Sequence, residues 1–409
     1  MQLVEQHVIK RDDPRFAAID AASFASKSLY NAALYELRQT FFADGTWLRY
    51  AVLDKRMQAH EAYKALPAKV AQQVLKQLDD TWTSFFEALK AYKEAPSKFT
   101  GRPRLPKYKH KVEGRNVLVY TVQAVSKKAL RDGLIRPSGL AITIETEHTI
   151  VDQVRIVPRN GYYVVEIVYS KKPVQAEGDP SFCVGMDLGV TNLAAIAANR
   201  EGFVPRLVNG RPLKSVNQWY NKRMKQLKKK LPKEDRERVT KQMERITTTR
   251  NRRVRQYLHT ASRRIIDFLV QEGVGTIIIG KNPLWKQDVN NGRRNNQNFV
   301  SIPHARFIEM LTYKAALVGI QVEVTEESYT SKASFLDLDP IPTYTPNDEQ
   351  EHVFRGKRIG YRKRLYRSKD GRIICADING AYNILRKRRP DAFAKGVAAY
   401  VVQPSRLAV

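Results

Sequence analysis

Phe182-Cys183-Val184-Gly185-Met186-Asp187-Leu188-Gly189-Val190-Thr191 is the stretch whose reading decides the fold. A short apolar run delivers one carboxylate, Asp187, at a strand end, and a glycine lets the backbone turn tightly beside it. Asn192 to Ala198 is small and apolar again, so a second strand can fold back on the first. A carboxylate placed this way is a seat for a hard divalent cation, although an ordinary turn has the same pattern. What decides between them is whether other acids reach the same place.

Two later stretches repeat the arrangement. Thr276-Ile277-Ile278-Ile279 reads as a buried strand ending at Gly280-Lys281-Asn282. Pro303 opens a helix carrying Phe307, Met310, Leu311, Lys314 and Leu317, which Gly319 stops. Ile320, Val322 and Val324 form the next strand, which runs into Thr325-Glu326-Glu327-Ser328. Arg372 to Cys375 is another strand, and Ala376-Asp377 then starts a helix. Alternating strands and helices imply an α/β sheet, whose strand ends can bring distant acids together. Carboxylates gathered at one point repel unless cations sit between them. Two Mg²⁺ ions about 3.5–4 Å apart, with Mn²⁺ as a substitute, would neutralise them, activate water and stabilise the leaving oxygen of a phosphodiester. Three unrelated surface acids would show the same periodicity.

Composition names the partner class. The 409 residues predict two to three domains. The formal net charge is +30 and the pI about 10.0, a field that attracts polyanions, nucleic acid first. Lys222 to Arg264 alone holds 17 Lys/Arg against 4 Asp/Glu, and Arg355 to Arg372 holds nine against one. The two cysteines, Cys183 and Cys375, give no disulfide framework, which fits a reducing cytoplasm. No signal peptide or long apolar segment is apparent, so neither secretion nor a membrane span is expected.

Upstream, Met1 to Lys10 reads as a strand and Asp12 to Tyr92 as helices, with Val70, Val74, Leu78, Trp82, Phe85, Phe86, Leu89 and Tyr92 on one face. Lys98 to Lys111 is a basic, proline-punctuated linker. Val117 to Val174 alternates in several short runs, which predicts a small β-barrel closed by the N-terminal strand. The tail beyond Arg389 is expected to be peripheral.

Val184-Gly185-Met186-Asp187-Leu188-Gly189-Val190 and Ala376-Asp377-Ile378-Asn379-Gly380-Ala381-Tyr382-Asn383-Ile384-Leu385 resemble the first and third RuvC motifs of TnpB, the transposon-encoded RNA-guided nucleases related to type V CRISPR effectors. Phe99-Xaa-Gly101-Xaa-Pro103-Xaa-Leu105-Pro106-Xaa-Tyr108-Lys109, Trp285-Lys286-Gln287 and Glu327-Ser328-Tyr329-Thr330-Ser331-Lys332 extend the likeness. It implies an α/β chain with an RNase H-like (RuvC) nuclease core, an α-helical recognition lobe and a wedge-type β-barrel. The implied division is 1–11 first barrel strand, 12–97 helical recognition domain, 98–178 wedge barrel, 179–326 leading nuclease segment, 327–372 inserted nucleic-acid-binding segment, and 373–409 closing nuclease segment and tail. It implies a cytoplasmic, Mg²⁺-dependent endonuclease cutting double-stranded DNA beside a short target-adjacent motif, directed by a guide RNA from the transposon end, with no membrane partner; the oligomeric state is left open, with a monomer favoured. The basic candidates for nucleic-acid contact are Arg102, Arg104, Lys107, Lys109, Lys222, Arg223, Arg252, Arg253, Lys286, Gln287, Arg355, Lys357, Arg358 and Arg362.

Two departures from the family pattern matter. The strand Thr276–Ile279 ends at Gly280, where many relatives place the middle catalytic glutamate. Glu327 resembles the relocated acid of a subgroup, with Glu326 as the fallback. The four-cysteine zinc module of many relatives is also missing, since Cys375 and His352 are too few for a tetrahedral site. The inserted segment is therefore expected to lack zinc and to be held by Tyr329, Phe335, Leu336, Phe354 and Tyr361. The competing readings are a nuclease-inactive RNA-guided DNA binder, motivated by Gly280, and a guide-independent transposase.

Overall fold

The computed structural model describes residues 1–174, 178–236, 238–282, 302–344, 351–360, 364–400 and 402–409. Lys286, Gln287, Tyr361 and Arg362 lie outside the described residues. The chain divides into two compact units, Met1–Lys171 and Lys172–Val409.

The first unit holds β1 (Gln2–Lys10), α1 (Phe16–Asp44), α2 (Tyr50–Met57), α3 (Glu61–Lys64), α4 (Ala68–Glu94), β2 (Leu118–Thr121), α5 (Lys127–Arg131), β3 (Leu134–Ile135), β4 (Ile144–Glu145), β5 (Gln153–Arg159) and β6 (Tyr162–Ser170). The apolar face of α4 is used as the spacing requires: Val70, Val74, Leu78 and Trp82 are buried, and Trp82 meets Phe41 edge-on at 5.2 Å. Four strands form one antiparallel sheet in the order β1-β6-β5-β2, with β3 and β4 paired separately. The expected closure into a barrel does not appear in this pairing, because edge strands β1 and β2 have no ladder between them. Helices cover the sheet instead: Leu34, Leu37, Val74 and Trp82 share one core with Leu118, Ile156 and Ile167.

The basic stretch after α4 also differs from a free linker. Its backbone is zipped onto α1: Asn31 exchanges two bonds with Lys109 at 2.9 Å, Lys27 Nζ donates to Lys111 O at 2.8 Å, and Arg38 donates to Pro106 O. The prolines that bar a helix also leave backbone carbonyls without helical donors, and side chains of α1 satisfy them.

The second unit holds β7 (Asp179–Leu188), β8 (Asn192–Ala198), β9 (Arg206–Asn209), α6 (Arg211–Lys229), α7 (Lys241–Gln271), β10 (Val274–Gly280), α8 (His304–Leu317), β11 (Gln321–Thr325), β12 (Lys357–Ile359), β13 (Leu365–Arg367), β14 (Ile373–Cys375), α9 (Ala376–Arg388) and β15 (Ser405–Leu407). Six strands form a mixed sheet in the order β11-β10-β7-β8-β9-β15. Strands β7, β10 and β11 run parallel, whereas β8 folds back antiparallel on β7. One face, with Val184, Met186 and Ile279, packs against Leu258, Ile265, Phe307 and Leu311 of α7 and α8. The other, with Cys183, Ala195 and Ile278, packs against Ile378, Ala381, Tyr382 and Leu385 of α9.

Two expectations are corrected here. The tail is not peripheral: Phe393 and Val397 are buried in the α9 core, and β15 adds a parallel edge strand beside β9. Three paired residues are too few to show a period in sequence. The strand before Asp377 does not join the large sheet either. It pairs with β13 in a separate antiparallel sheet, β12-β13-β14, and Asp377 is carried by the first turn of α9.

Candidate active site

The register of the parallel strands sets the site. Met186 stands level with Ile279, and Ile279 with Val324, so Asp187, Gly280 and Thr325 come next along one edge. This edge is where the carboxyl ends of β7, β10 and β11 open, the place where α/β sheets bind ligands. Asp187 shares the strand face of Cys183 and Gly185, which looks toward α9. Glycine at 185 is required, because a Cβ there would overlap the Ala381 carbonyl and lie 2.9 Å from Leu385 Cβ. The helix therefore lies close enough that a Cβ on Gly380 would stand 2.7 Å from Asp187 Oδ2.

Some of Asp187 still reaches solvent, yet it is densely surrounded. Burial, reinforced by the charge of Asp377, pushes its carboxyl up to about 7, against the opposing pull of Arg358 and Arg364. The first turn of α9 adds the favourable end of a helix dipole.

Glu327 supplies the second carboxylate, and Gly280 explains how. A Cβ on Gly280 would collide with Glu327 Oε2 and sit 2.6 Å from Ile384 Cδ1. The side chain absent from β10 is thus replaced by one arriving from beyond β11. The Glu327 amide is fixed by Asn282 Oδ1 at 3.0 Å, and its carbonyl accepts from Thr330 Oγ1 at 2.8 Å. Its Oε2 is buried with no hydrogen-bond partner among the described residues. Burial first, then the charges of Asp187 and Glu326, raise this carboxyl to about 8, while Lys387 opposes them.

Glu326 is oriented differently. It pairs with Lys387 Nζ and accepts from the Ser328 amide. Burial raises its carboxyl, but the bonds from Lys387 and Ser328 outweigh it and the net shift is downward. Lys387 also donates to the carbonyls of Ser328 at 3.1 Å and Pro342 at 3.0 Å, so it pins the turn that aims Glu327.

Asp377 Oδ2 accepts from Asn192 Nδ2 at 2.6 Å and from Arg364 Nη1 at 2.7 Å. Arg364 holds a left-handed backbone (φ 52°), and its carbonyl accepts from the Ala376 amide at 2.8 Å, next to Asp377. Sequence reading missed both partners, because neither lies in a recognisable motif. Among the described residues no three His, Cys, Asp or Glu side chains are already gathered tightly enough to hold a metal. Asp187 feels the charge of Asp377, Glu327 feels that of Asp187, and Asp377 is paired with its own cation, Arg364.

The inserted segment is tied down by amides as well as rings. Asn379 accepts from the Phe335 amide at 2.9 Å and donates to Ala333 O at 2.8 Å; Asn383 donates to Thr330 O at 2.9 Å and Ala333 O at 2.7 Å. Phe335 stacks on Tyr382 at 4.1 Å, Leu336 is buried, and Tyr329 lies 6.3 Å from Phe354. Asn379 and Asn383, one turn apart on α9, were visible in the motif but not their role.

Of the basic candidates, Arg102, Arg104, Lys107, Lys222, Arg223, Arg252, Arg253, Lys357 and Arg358 are exposed. Lys109 is half-buried over Tyr30, 4.8 Å from the ring centroid, and burial lowers its amine. Arg355 is exposed but bonds Asp337 O at 3.2 Å and stands 3.7 Å from Asp339. No helix among the described residues is long and apolar enough to cross a membrane.

Residues 166–285 match the family model OrfB_IS605, described as a probable transposase, and residues 304–384 match the TNB domain of Cas12f1-like proteins. The resemblance to TnpB is thereby borne out. No curated protein matches significantly. The chain is similar in fold to a Cas12f1–sgRNA–target DNA complex, with TM-score 0.50, 14% identity, and coverage of 89% of this chain and 81% of that one. The mini-RNA-guided endonuclease CRISPR-Cas_phi3 also matches, with TM-score 0.49, 9% identity, and coverage of 99% and 94%. The α/β fold with mixed sheets thus resembles that of the Cas12f1 structure.

Proposed function

We propose that this chain is an RNA-guided DNA endonuclease whose single RuvC-like site is built from Asp187, Glu327 and Asp377. The observation that carries the reading is the Glu327 carboxylate, buried over Gly280 with an unpartnered oxygen and near enough to Asp187 to feel its charge. Its position over Gly280 supports Glu327 as the acid that stands in for the side chain missing from the strand end.

The residues suit Mg²⁺. They are hard oxygen donors, one of them an orphaned buried oxygen, beside two glycines, Gly280 and Gly380, that leave room at the carboxylates. Bound divalent cations would supply neutralisation of the three acids and an activated water for phosphodiester hydrolysis. The chain's own contribution is preorganisation. Strand β7 fixes Asp187, and Asn282 with Lys387 fixes the turn bearing Glu327. Asn192 orients Asp377, which must exchange Arg364 for a metal to become a ligand. The Cas12f1 structure similar in fold holds sgRNA and target DNA. Exposed Arg102, Arg104, Lys107, Lys222, Arg223 and Arg252 offer phosphate contacts for such partners here. Base pairing with the guide would then choose the target while the protein reads backbone and shape.

In the test, the chain with its guide RNA is given double-stranded target and Mg²⁺. Asp187→Ala and Asp377→Ala are expected to abolish cutting while guide-directed binding persists. Cutting by either variant would remove these residues as ligands. A starting protein that binds but never cuts, with Mg²⁺ or Mn²⁺, would establish a guided binder instead. Cutting that survives removal of RNA would favour a guide-independent transposase.

A further inference from the structure

Helix α6 carries Arg211, Lys214, Lys222, Arg223, Lys225, Lys228 and Lys229 and no acid. Trp219 on this helix is the one exposed tryptophan among the described residues; it is 43% exposed, whereas Trp82 is fully buried. Its ring centroid lies 5.8 Å from the guanidinium carbon of Arg253 on α7. The helix pair does not need this ring for its core: Leu213 shares one core with Val254 and Leu258, and Asn217 and Leu227 are the other buried residues of α6. Asn217 accepts from Arg250 Nε at 2.7 Å, and Tyr220 bonds Thr247 at 3.2 Å, so the pair is locked on its inner side.

We infer that Trp219 is a stacking platform for a base of single-stranded nucleic acid. Positive charge alone would hold any polyanion through its phosphates. A flat aromatic among guanidinium and ammonium groups adds something only an unpaired base can use, because bases within a duplex already stack on each other. The helix is anchored beside the Asp187 hairpin. The Gly210 amide before α6 bonds Thr191 O at 2.8 Å, in the turn that follows Asp187. At about 1.5 Å per residue, Trp219 lies about 14 Å along the helix from that point. The inference deepens the nucleic-acid side of the proposed function and does not depend on the metal chemistry.

Its test uses the full chain freed of RNA, with EDTA present so that cleavage plays no role. Binding of an oligothymidylate, an oligouridylate and a mixed-sequence duplex of similar length is measured by fluorescence anisotropy across a salt series. Trp219→Leu, which keeps apolar bulk without a ring, is expected to weaken single-strand binding by about five- to a hundredfold. The salt slope should stay unchanged, because no phosphate contact is lost. Trp219→Phe should retain most of the affinity, and duplex binding should not move in either variant. The oligomer with the larger loss identifies the strand as DNA or RNA. Single-strand affinity within twofold of the starting protein, or an equal loss on duplex, would overturn the assignment. Loss of cleavage in Asp187→Ala with the Trp219 effect intact keeps the two readings separate.

Discussion

Replacing Glu327 by Gln should stabilise the metal-free protein at pH 8 by an amount on the order of 3 kcal/mol. The carboxyl rises from 4.5 to about 8 on folding, through burial and the neighbouring charges of Asp187 and Glu326. The folded chain therefore holds this proton more tightly than the unfolded one. The advantage is complete below about pH 4.5 and is lost progressively as pH rises through about 8. Taken at face value the rise is worth about 5 kcal/mol. Partial access to water and shared titration with Asp187, itself near 7, reduce it to the smaller figure. The amide introduced by Glu327→Gln cannot ionise, so this share of the pH dependence should vanish. Chemical unfolding of both proteins from pH 5 to 8 in EDTA measures the difference. The starting protein should lose stability toward pH 8 much faster than Glu327→Gln. Excess Mg²⁺ should restore the former selectively, since a cation removes the repulsion that raises the carboxyl. Parallel pH profiles, or equal stabilisation of both proteins by Mg²⁺, would refute the reasoning.

Gly280→Ala should lower cleavage about a hundredfold with little effect on guide-directed binding, because the new Cβ displaces Glu327 Oε2 and a carboxylate misplaced by about 1 Å costs that much. Single-turnover kinetics with bound guide would check it, and an unchanged rate would mean that Glu327 does not act from that position. Asn383→Ala should cost about 1–3 kcal/mol of stability, since it leaves the Thr330 carbonyl short of its donor while Ala333 O keeps the bond from Asn379. Denaturant unfolding reads this loss, and added zinc should not reverse it.

Much of the second unit was legible because its signals are local. The apolar strand before Asp187, the buried strand ending at Gly280, the helix stopped by Gly319 (φ 80°) and the helix after Asp377 follow from periodicity and glycine punctuation. The middle acid was nameable only as Glu326 or Glu327. Adjacent residues after a strand end point in different directions, and nothing local says which faces the core. The structure separates them by partners: Lys387 takes Glu326, while the space over Gly280 takes Glu327.

The amino-acid sequence by itself determined the charge, the α/β pattern and the candidate acids Asp187, Asp377 and the Glu326/Glu327 pair, since each is a property of composition or of a few neighbouring residues. Tertiary structure decided what depends on residues remote in the chain. It set Asp377 on a helix crossing the sheet, gave it Arg364 and Asn192 as partners, zipped the basic segment onto α1 and made the tail an edge strand. These outcomes rest on packing distance and on which buried polar groups find partners, and neither is written into any short window of sequence.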